Sequence, residues 1–144
     1  MTIAVDFDGT IVEDRYPAIG KPVPFAFETL LALQKEGCFI ILWTVREGSL
    51  LEEAVSFCRS RGLEFNAVNS EIGGAAAPRK VRADFYIDDR GVSGIPDWTT
   101  IGEIVSEGKA RPGAGRRPSK HHHKKNIFKR IAERCRTSRE KFGR

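Results

Sequence analysis

The sequence predicts an α/β domain built on a parallel sheet. Three observations lead there. Short apolar runs of strand length alternate with amphipathic stretches of helical period. Gly and Pro punctuate the joins between them. Acidic and hydroxyl residues collect just past the C-terminal ends of the apolar runs, where parallel sheets bind ligands.

The elements follow in order. Residues 2–7 read as a buried strand that ends in Asp6-Phe7-Asp8-Gly9-Thr10. Residues 13–24, with Pro17, Pro22, Pro24 and Gly20, read as a loop. Phe25 to Glu36 reads as a helix with Phe27, Leu30, Leu31 and Leu33 on its apolar face, and Gly37 suits its end. Cys38 to Thr44 is a continuous apolar run of strand length. Ser49 is expected to open a second helix, with Glu52 completing a capping box. Leu51, Val55 and Cys58 share one face of that helix, and Gly62 ends it. Glu64 to Asn69 is a third strand, followed by a Gly/Ala loop over 71–77 and one helical turn over Pro78 to Arg82. Phe85 to Asp88 is a fourth strand, and Asp97 caps a last helix from Trp98 to Glu107, closed by Gly108. Strands joined by helices require right-handed crossovers. The expected fold class is therefore α/β: a three-layer, Rossmann-like parallel sheet with helices on both faces.

Composition sets bounds. A chain of 144 residues with 40% hydrophobic content supports one domain with a core. The mean hydropathy of −0.34 fits a soluble protein, and the Phe39 to Trp43 run is far too short to span a bilayer. The first strand begins almost at Met1, which leaves no room for a signal peptide. Three cysteines without a CxxC spacing suggest neither a disulfide framework nor a zinc site, and a reducing cytoplasm is the expected location. The net charge of +5 hides a division. Residues 109–144 hold 14 Lys/Arg and 2 Asp/Glu, a charge of +12, while residues 1–108 hold 10 basic and 17 acidic residues, a charge of −7. The organisation expected is a domain over 1–108, a flexible basic linker over 109–126, and a basic amphipathic helix over 127–142 carrying Ile127, Phe128, Ile131, Cys135 and Phe142.

The chemistry lies at the strand ends. Asp6 and Asp8 are two residues apart, so on an extended backbone their carboxylates share a face. Like charges closing a buried strand repel and are costly to desolvate, and a divalent cation offsets both. Oxygen-only ligands suit Mg²⁺. Thr44 closes the second strand, Lys80 stands shortly before the fourth, and Asp88 and Asp89 close the fourth.

These four signatures, in this order, resemble those of the haloacid dehalogenase-like (HAD) hydrolases over residues 2 to about 105. The resemblance implies a Mg²⁺-dependent phosphatase that works through an aspartyl-phosphate. Asp6 then resembles the nucleophile and Asp8 the general acid/base. Mg²⁺ would be held by Asp6, the backbone carbonyl of Asp8 and Asp88, with Asp89 acting through a metal-bound water. Thr44 and neighbouring amides would bind phosphate, and Lys80 would neutralise its charge, with Arg79 as the alternative cation. Arg46, two residues beyond Thr44, is a further candidate for phosphate. Phe7 is expected to point into the core, Trp43 and Trp98 to pack, and His121 to His123 to be solvated. Neither gap between signatures has room for a cap domain, so the site is expected to be open. Open sites in that superfamily go with macromolecular substrates or with an oligomer whose neighbour covers the site. The expected partners are a phosphorylated substrate, small or macromolecular, and a second copy of the chain. The basic tail adds a polyanion, nucleic acid or anionic membrane. A binding module using that tail and a phosphotransferase are the alternative readings.

Overall fold

The computed structural model describes residues 1–73 and 80–108. The chain divides into Met1–Ser106 and Glu107–Arg144. The expected linker and basic helix lie outside the described residues, as does Arg79.

The strands are β1 (Thr2–Val5), β2 (Phe39–Leu42), β3 (Ala67–Val68) and β4 (Phe85–Ile87). The helices are α1 (Ala26–Lys35), α2 (Gly48–Arg59) and α3 (Trp98–Ser106). All strand pairs are parallel, in the order β3-β2-β1-β4. From β1 the chain builds outward through β2 to β3, then returns to place β4 on the other side of β1. The carboxyl ends of β1 and β4 therefore meet where the order reverses, the place at which open parallel sheets bind ligands.

The period of 2 in each strand sorts its side chains. Ile3, Val5, Ile40, Leu42 and Ile87 join one buried cluster with α1 (Phe27, Leu30, Leu33), α2 (Ala54, Cys58) and α3 (Trp98, Ile101, Val105). Ala4 and Ile41 point to the other face, where Val81, Trp43, Ala67, Ala83 and Tyr86 pack against them. Among the described residues, then, all three helices supply side chains to one face, and strand and loop residues alone make up the cluster on the opposite one. Helices on both faces were expected; the described residues form that layer on one side.

Several boundaries differ from expectation for local reasons. The strand expected over 64–69 contracts to two residues because Asn66 leaves the ladder: its amide donates to the Ile40 carbonyl at 2.8 Å while its side-chain Oδ1, not a backbone oxygen, accepts from the Ile40 amide at 2.7 Å. The capping box does not form. α2 begins one residue earlier at Gly48, its cap position is Glu47, and no side chain caps it. Gly48, at φ +53°, makes the bend into the helix. By contrast Asp97 caps α3 as expected, its Oδ1 accepting from the amides of Thr99 at 3.1 Å and Thr100 at 3.0 Å. Of the helical turn expected over Pro78 to Arg82, Lys80 to Arg82 are described and are not helical. No helix among the described residues is long and apolar enough to cross a membrane.

Candidate active site at the sheet switch point

β1 stops at Val5, and the backbone then folds tightly over Phe7, whose carbonyl accepts from the amides of Ile11 at 2.9 Å and Val12 at 3.1 Å. This turn separates the two carboxylates that an extended strand would have aligned. Asp6 remains over the sheet end, its amide bonded to the Ile87 carbonyl at 3.0 Å. Its carboxylate joins those of Asp88 and Asp89, one oxygen of each lying within 4.8 Å of the others. Asp8 turns away: both of its oxygens are held by Arg46, Nε to Oδ2 and Nη2 to Oδ1, each at 2.7 Å.

Within this group Asp6 is destabilised as an anion. Burial pushes the Asp6 carboxyl from 3.8 up to about 6; a backbone hydrogen bond from Phe7 opposes this, and the charges of Asp88, Asp89 and Asp8 add to it. Asp89 Oδ1 is buried without a hydrogen-bond partner, which is costly unless something outside the chain satisfies it. Asp88 Oδ1 accepts from the Arg90 amide at 2.7 Å. Arg90 reaches Asp89 Oδ2 at 3.6 Å and Asp14 at 3.2 Å, from a position 78% exposed. An oxygen-only set with an orphaned buried oxygen fits a hard divalent cation such as Mg²⁺.

Two residues brace this group in ways not singled out from the sequence. A Cβ on Gly9, which sits at φ +75°, would lie 2.7 Å from Asp89 Cγ, so only glycine lets the carboxylate approach. Thr10 is buried; its hydroxyl accepts from the Asp89 amide at 3.1 Å and its carbonyl from Trp98 Nε1 at 3.0 Å. Trp98 is thus the packing residue expected, with an added polar anchor.

Thr44 stands at the end of β2. Its hydroxyl accepts from the Arg46 amide at 3.3 Å, and its own amide is taken by Asn69 Oδ1 at 2.9 Å. Asn69, at φ +48°, also donates from Nδ2 to the Arg46 carbonyl at 3.3 Å. Among the described residues the Val45 amide has no partner, leaving it and the Thr44 hydroxyl proton as donors at this strand end. Asn69 is a positioning group that its place in an apparent strand concealed; an Asn just past a strand, a residue type that tolerates φ > 0, was the available signal.

Two expected site residues stand elsewhere. Arg46 was expected to face phosphate. Its side chain is fully buried, and beyond Asp8 it donates from Nη1 to the Pro17 carbonyl and from Nη2 to the Ala18 carbonyl, both at 2.9 Å. Rings stack on its guanidinium, Phe7 at 5.1 Å and Tyr16 at 5.3 Å to the centroids. Arg46 is a buried countercharge for Asp8, not a free phosphate ligand. Lys80 is exposed, with its ammonium 4.3 Å from the Tyr86 ring centroid. No ion pair joins it to a carboxylate among the described residues.

No family model matches the chain, and no curated protein matches it. A solved structure does: that of a conserved protein coded by a locus of Bacteroides thetaiotaomicron, 58% identical, with a TM-score of 0.72 over 76% of this chain and 93% of that one.

Proposed function

The chain belongs to the family of that conserved Bacteroides thetaiotaomicron protein, and from the site it carries we propose that it is a Mg²⁺-dependent phosphomonoesterase of HAD-like type with an open active site. The observation that carries this reading is the convergence of Asp6, Asp88 and Asp89 at the β1/β4 switch point, with one buried oxygen left unsatisfied. The Rossmann-like architecture belongs with the same proposal and is supported by the strand order.

Asp6, Asp88 and Asp89 would hold the cation, which when bound offsets their mutual repulsion and that between nucleophile and phosphate. A carboxylate oxygen of Asp6 attacks phosphorus, and the bond from phosphorus to the ester oxygen breaks. Asp8, once released from Arg46 and protonated by solvent, gives that proton to the leaving oxygen. In the second half, water attacks phosphorus of the aspartyl-phosphate while Asp8 takes a proton from it. The bond from phosphorus to Asp6 breaks, which restores the carboxylate and releases inorganic phosphate. Thr44 Oγ1–H and the Val45 amide donate to phosphate oxygens. Lys80 would supply the remaining positive charge by leaving the Tyr86 ring, a short swing for a flexible four-carbon stem.

The test is hydrolysis of p-nitrophenyl phosphate by the full chain with Mg²⁺, with EDTA, and in Asp6→Asn. Activity that needs both Mg²⁺ and Asp6 supports the proposal. Activity that survives Asp6→Asn removes the covalent route, and no activity on any phosphomonoester removes the hydrolase.

A further inference from the structure

Tyr16 stands on the 13–22 loop with a cation against its ring. It is 55% exposed, and the Arg46 guanidinium lies over the ring, 5.3 Å from its centroid. Among the described residues no other ring or cation stacks on it. A single exposed aromatic is ordinary on a protein surface, but this one is fixed in place. Arg46 is buried and donates to the carbonyls of Pro17 and Ala18, the two residues that follow Tyr16. The Tyr16 amide donates to Asp14 Oδ1 at 3.4 Å, and the Glu13 amide closes the loop on the Lys21 carbonyl at 2.8 Å. The same guanidinium grips Asp8, the group assigned to the leaving oxygen, so the ring lies on the leaving-group side of the site. Val45, 84% exposed and between Thr44 and Arg46 in the chain, is a second apolar side chain at this mouth. The charged side chains flanking Tyr16 pair with one another, Arg15 with Glu13 at 3.9 Å and Arg90 with Asp14 at 3.2 Å.

We propose that Tyr16 sets the substrate specificity of this site by stacking on a planar, uncharged leaving group, which makes its substrates phosphate monoesters of phenols and arylmethyl alcohols. This rests on the hydrolase reading above and names its substrate class. Arg46 covers one face of the Tyr16 ring, and the exposure that remains leaves the other for a substrate. A second ring placed there buries apolar area and gains the offset contact that aromatic pairs prefer. Tyr16 is already held by its loop and by Arg46, so little side-chain freedom is lost when the contact forms. The side chains flanking the ring offer no unpaired cation to an anionic leaving group, which favours a neutral one. Val45 supplies a further apolar contact, while its amide stays with the phosphate.

The experiment measures kcat/KM of the full chain with Mg²⁺ on benzyl, cyclohexylmethyl and ethyl phosphate. All three are esters of primary alcohols, so their leaving oxygens are of similar basicity. Benzyl differs from ethyl by a ring, and from cyclohexylmethyl by the flatness of that ring. The wild type is expected to prefer benzyl over both others by about tenfold. Tyr16→Phe should keep that preference, and Tyr16→Leu should lower it about fivefold. Val45→Ser should lower benzyl and cyclohexylmethyl together relative to ethyl, by a smaller factor. A merely structural role for Tyr16 would reduce all three esters equally and leave the ratios unmoved, which overturns the proposal. Benzyl and cyclohexylmethyl phosphate turned over alike would overturn it too, since apolar contact without stacking would then explain the preference. If Tyr16→Leu does not fold, Val45→Ser and the wild-type benzyl-to-cyclohexylmethyl ratio decide, and a ratio near one overturns the proposal. A wild type inactive on all three esters removes the hydrolase reading and this inference with it; a wild type equally active on all three removes this inference only.

Discussion

Asp6 and Asp8 are two residues apart, and the protein treats them in opposite ways. Asp8 is 10% exposed and fully compensated by a guanidinium that is itself buried. Asp6 is packed among Asp88 and Asp89, and the only cation ion-paired with that group among the described residues is Arg90, at 3.6 Å from Asp89 and largely in solvent. The chain is therefore able to place a buried countercharge at this end of the sheet, and does so for one carboxylate. The other three, with Asp88 exposed and Asp6 and Asp89 half-buried, have no buried countercharge among the described residues. Among them Asp6 and the orphaned Asp89 Oδ1 carry the cost, since a buried carboxylate oxygen without a partner is expensive.

The largest expected effect falls on the uncompensated side. Asp6→Asn keeps shape and removes the proposed nucleophile, so turnover of p-nitrophenyl phosphate should fall by orders of magnitude while the fold stands. A variant that retains near wild-type turnover would erase the distinction between the two aspartates.

A second effect tests the external compensation without reference to activity. Mg²⁺ at a hundredfold excess over its Kd should stabilise the wild-type chain by about 2.7 kcal/mol, a rise of several degrees in Tm. Asp89→Asn should remove most of that rise and, in EDTA, melt at or above the wild type, because it relieves repulsion. If Asp89→Asn instead melts lower in EDTA and responds normally to Mg²⁺, the triad is not the cation site.

The same contrast has a pH signature. Asp6 is raised from 3.8 to about 6 in the fold. A carboxyl whose folded value lies above its unfolded one binds more protons in the folded state between those values, so stability falls as pH rises from 3.8 through about 6 and then levels. Metal-free protein should show this loss in urea titrations across that window, Asp6→Asn should not, and Mg²⁺ should reverse it. A flat profile in EDTA would mean that Asp6 is already compensated.

Most of the scaffold that produces this contrast is legible in the sequence, and the contrast itself is not. Apolar runs ending in Asp6, Thr44 and Asp88 locate the strand ends because a buried parallel strand must be apolar throughout and its ligands must follow it. The carboxylate group follows from that alone. The Asp8–Arg46 pair spans 38 positions, and no local pattern connects them. The turn over Phe7 that swings Asp8 off the face of Asp6 is set by backbone hydrogen bonds to one carbonyl, which residue types do not announce. Lys80 was placed by its order along the chain, and order carries no information about the Tyr86 ring beneath it. Asn66 and Asn69 read as strand residues because their side chains take over bonds the backbone would have made.

The smallest effect belongs to Asp97, an aspartate whose charge is welcome, and it completes the comparison with the opposite sign. Its carboxylate accepts from the Thr99 and Thr100 amides at the start of α3 and from both threonine hydroxyls, which holds its carboxyl well below the usual range. α3 in turn delivers Trp98, whose indole anchors the Thr10 carbonyl and whose own carbonyl accepts from the Thr29 hydroxyl at 3.2 Å. Losing the cap loosens the first turn of a helix that packs on α1, so Asp97→Ala should lower stability modestly and Asp97→Asn less, since the amide keeps an acceptor oxygen. A depressed carboxyl contributes stability that is present above its unfolded value and is lost as pH falls through the folded one. The gap between wild type and Asp97→Ala in urea titrations should therefore be constant near neutrality and narrow below about pH 3.8, whereas the Asp6 effect grows on the alkaline side of that same value. kcat on p-nitrophenyl phosphate should be unaltered, because Asp97 touches neither the carboxylate group nor Arg46. A gap that stays constant into acid would assign the stabilisation to helix packing instead of to the charged cap, and a fall in kcat would mean that α3 positions Thr10, and through it Asp89, more tightly than its place behind the site requires.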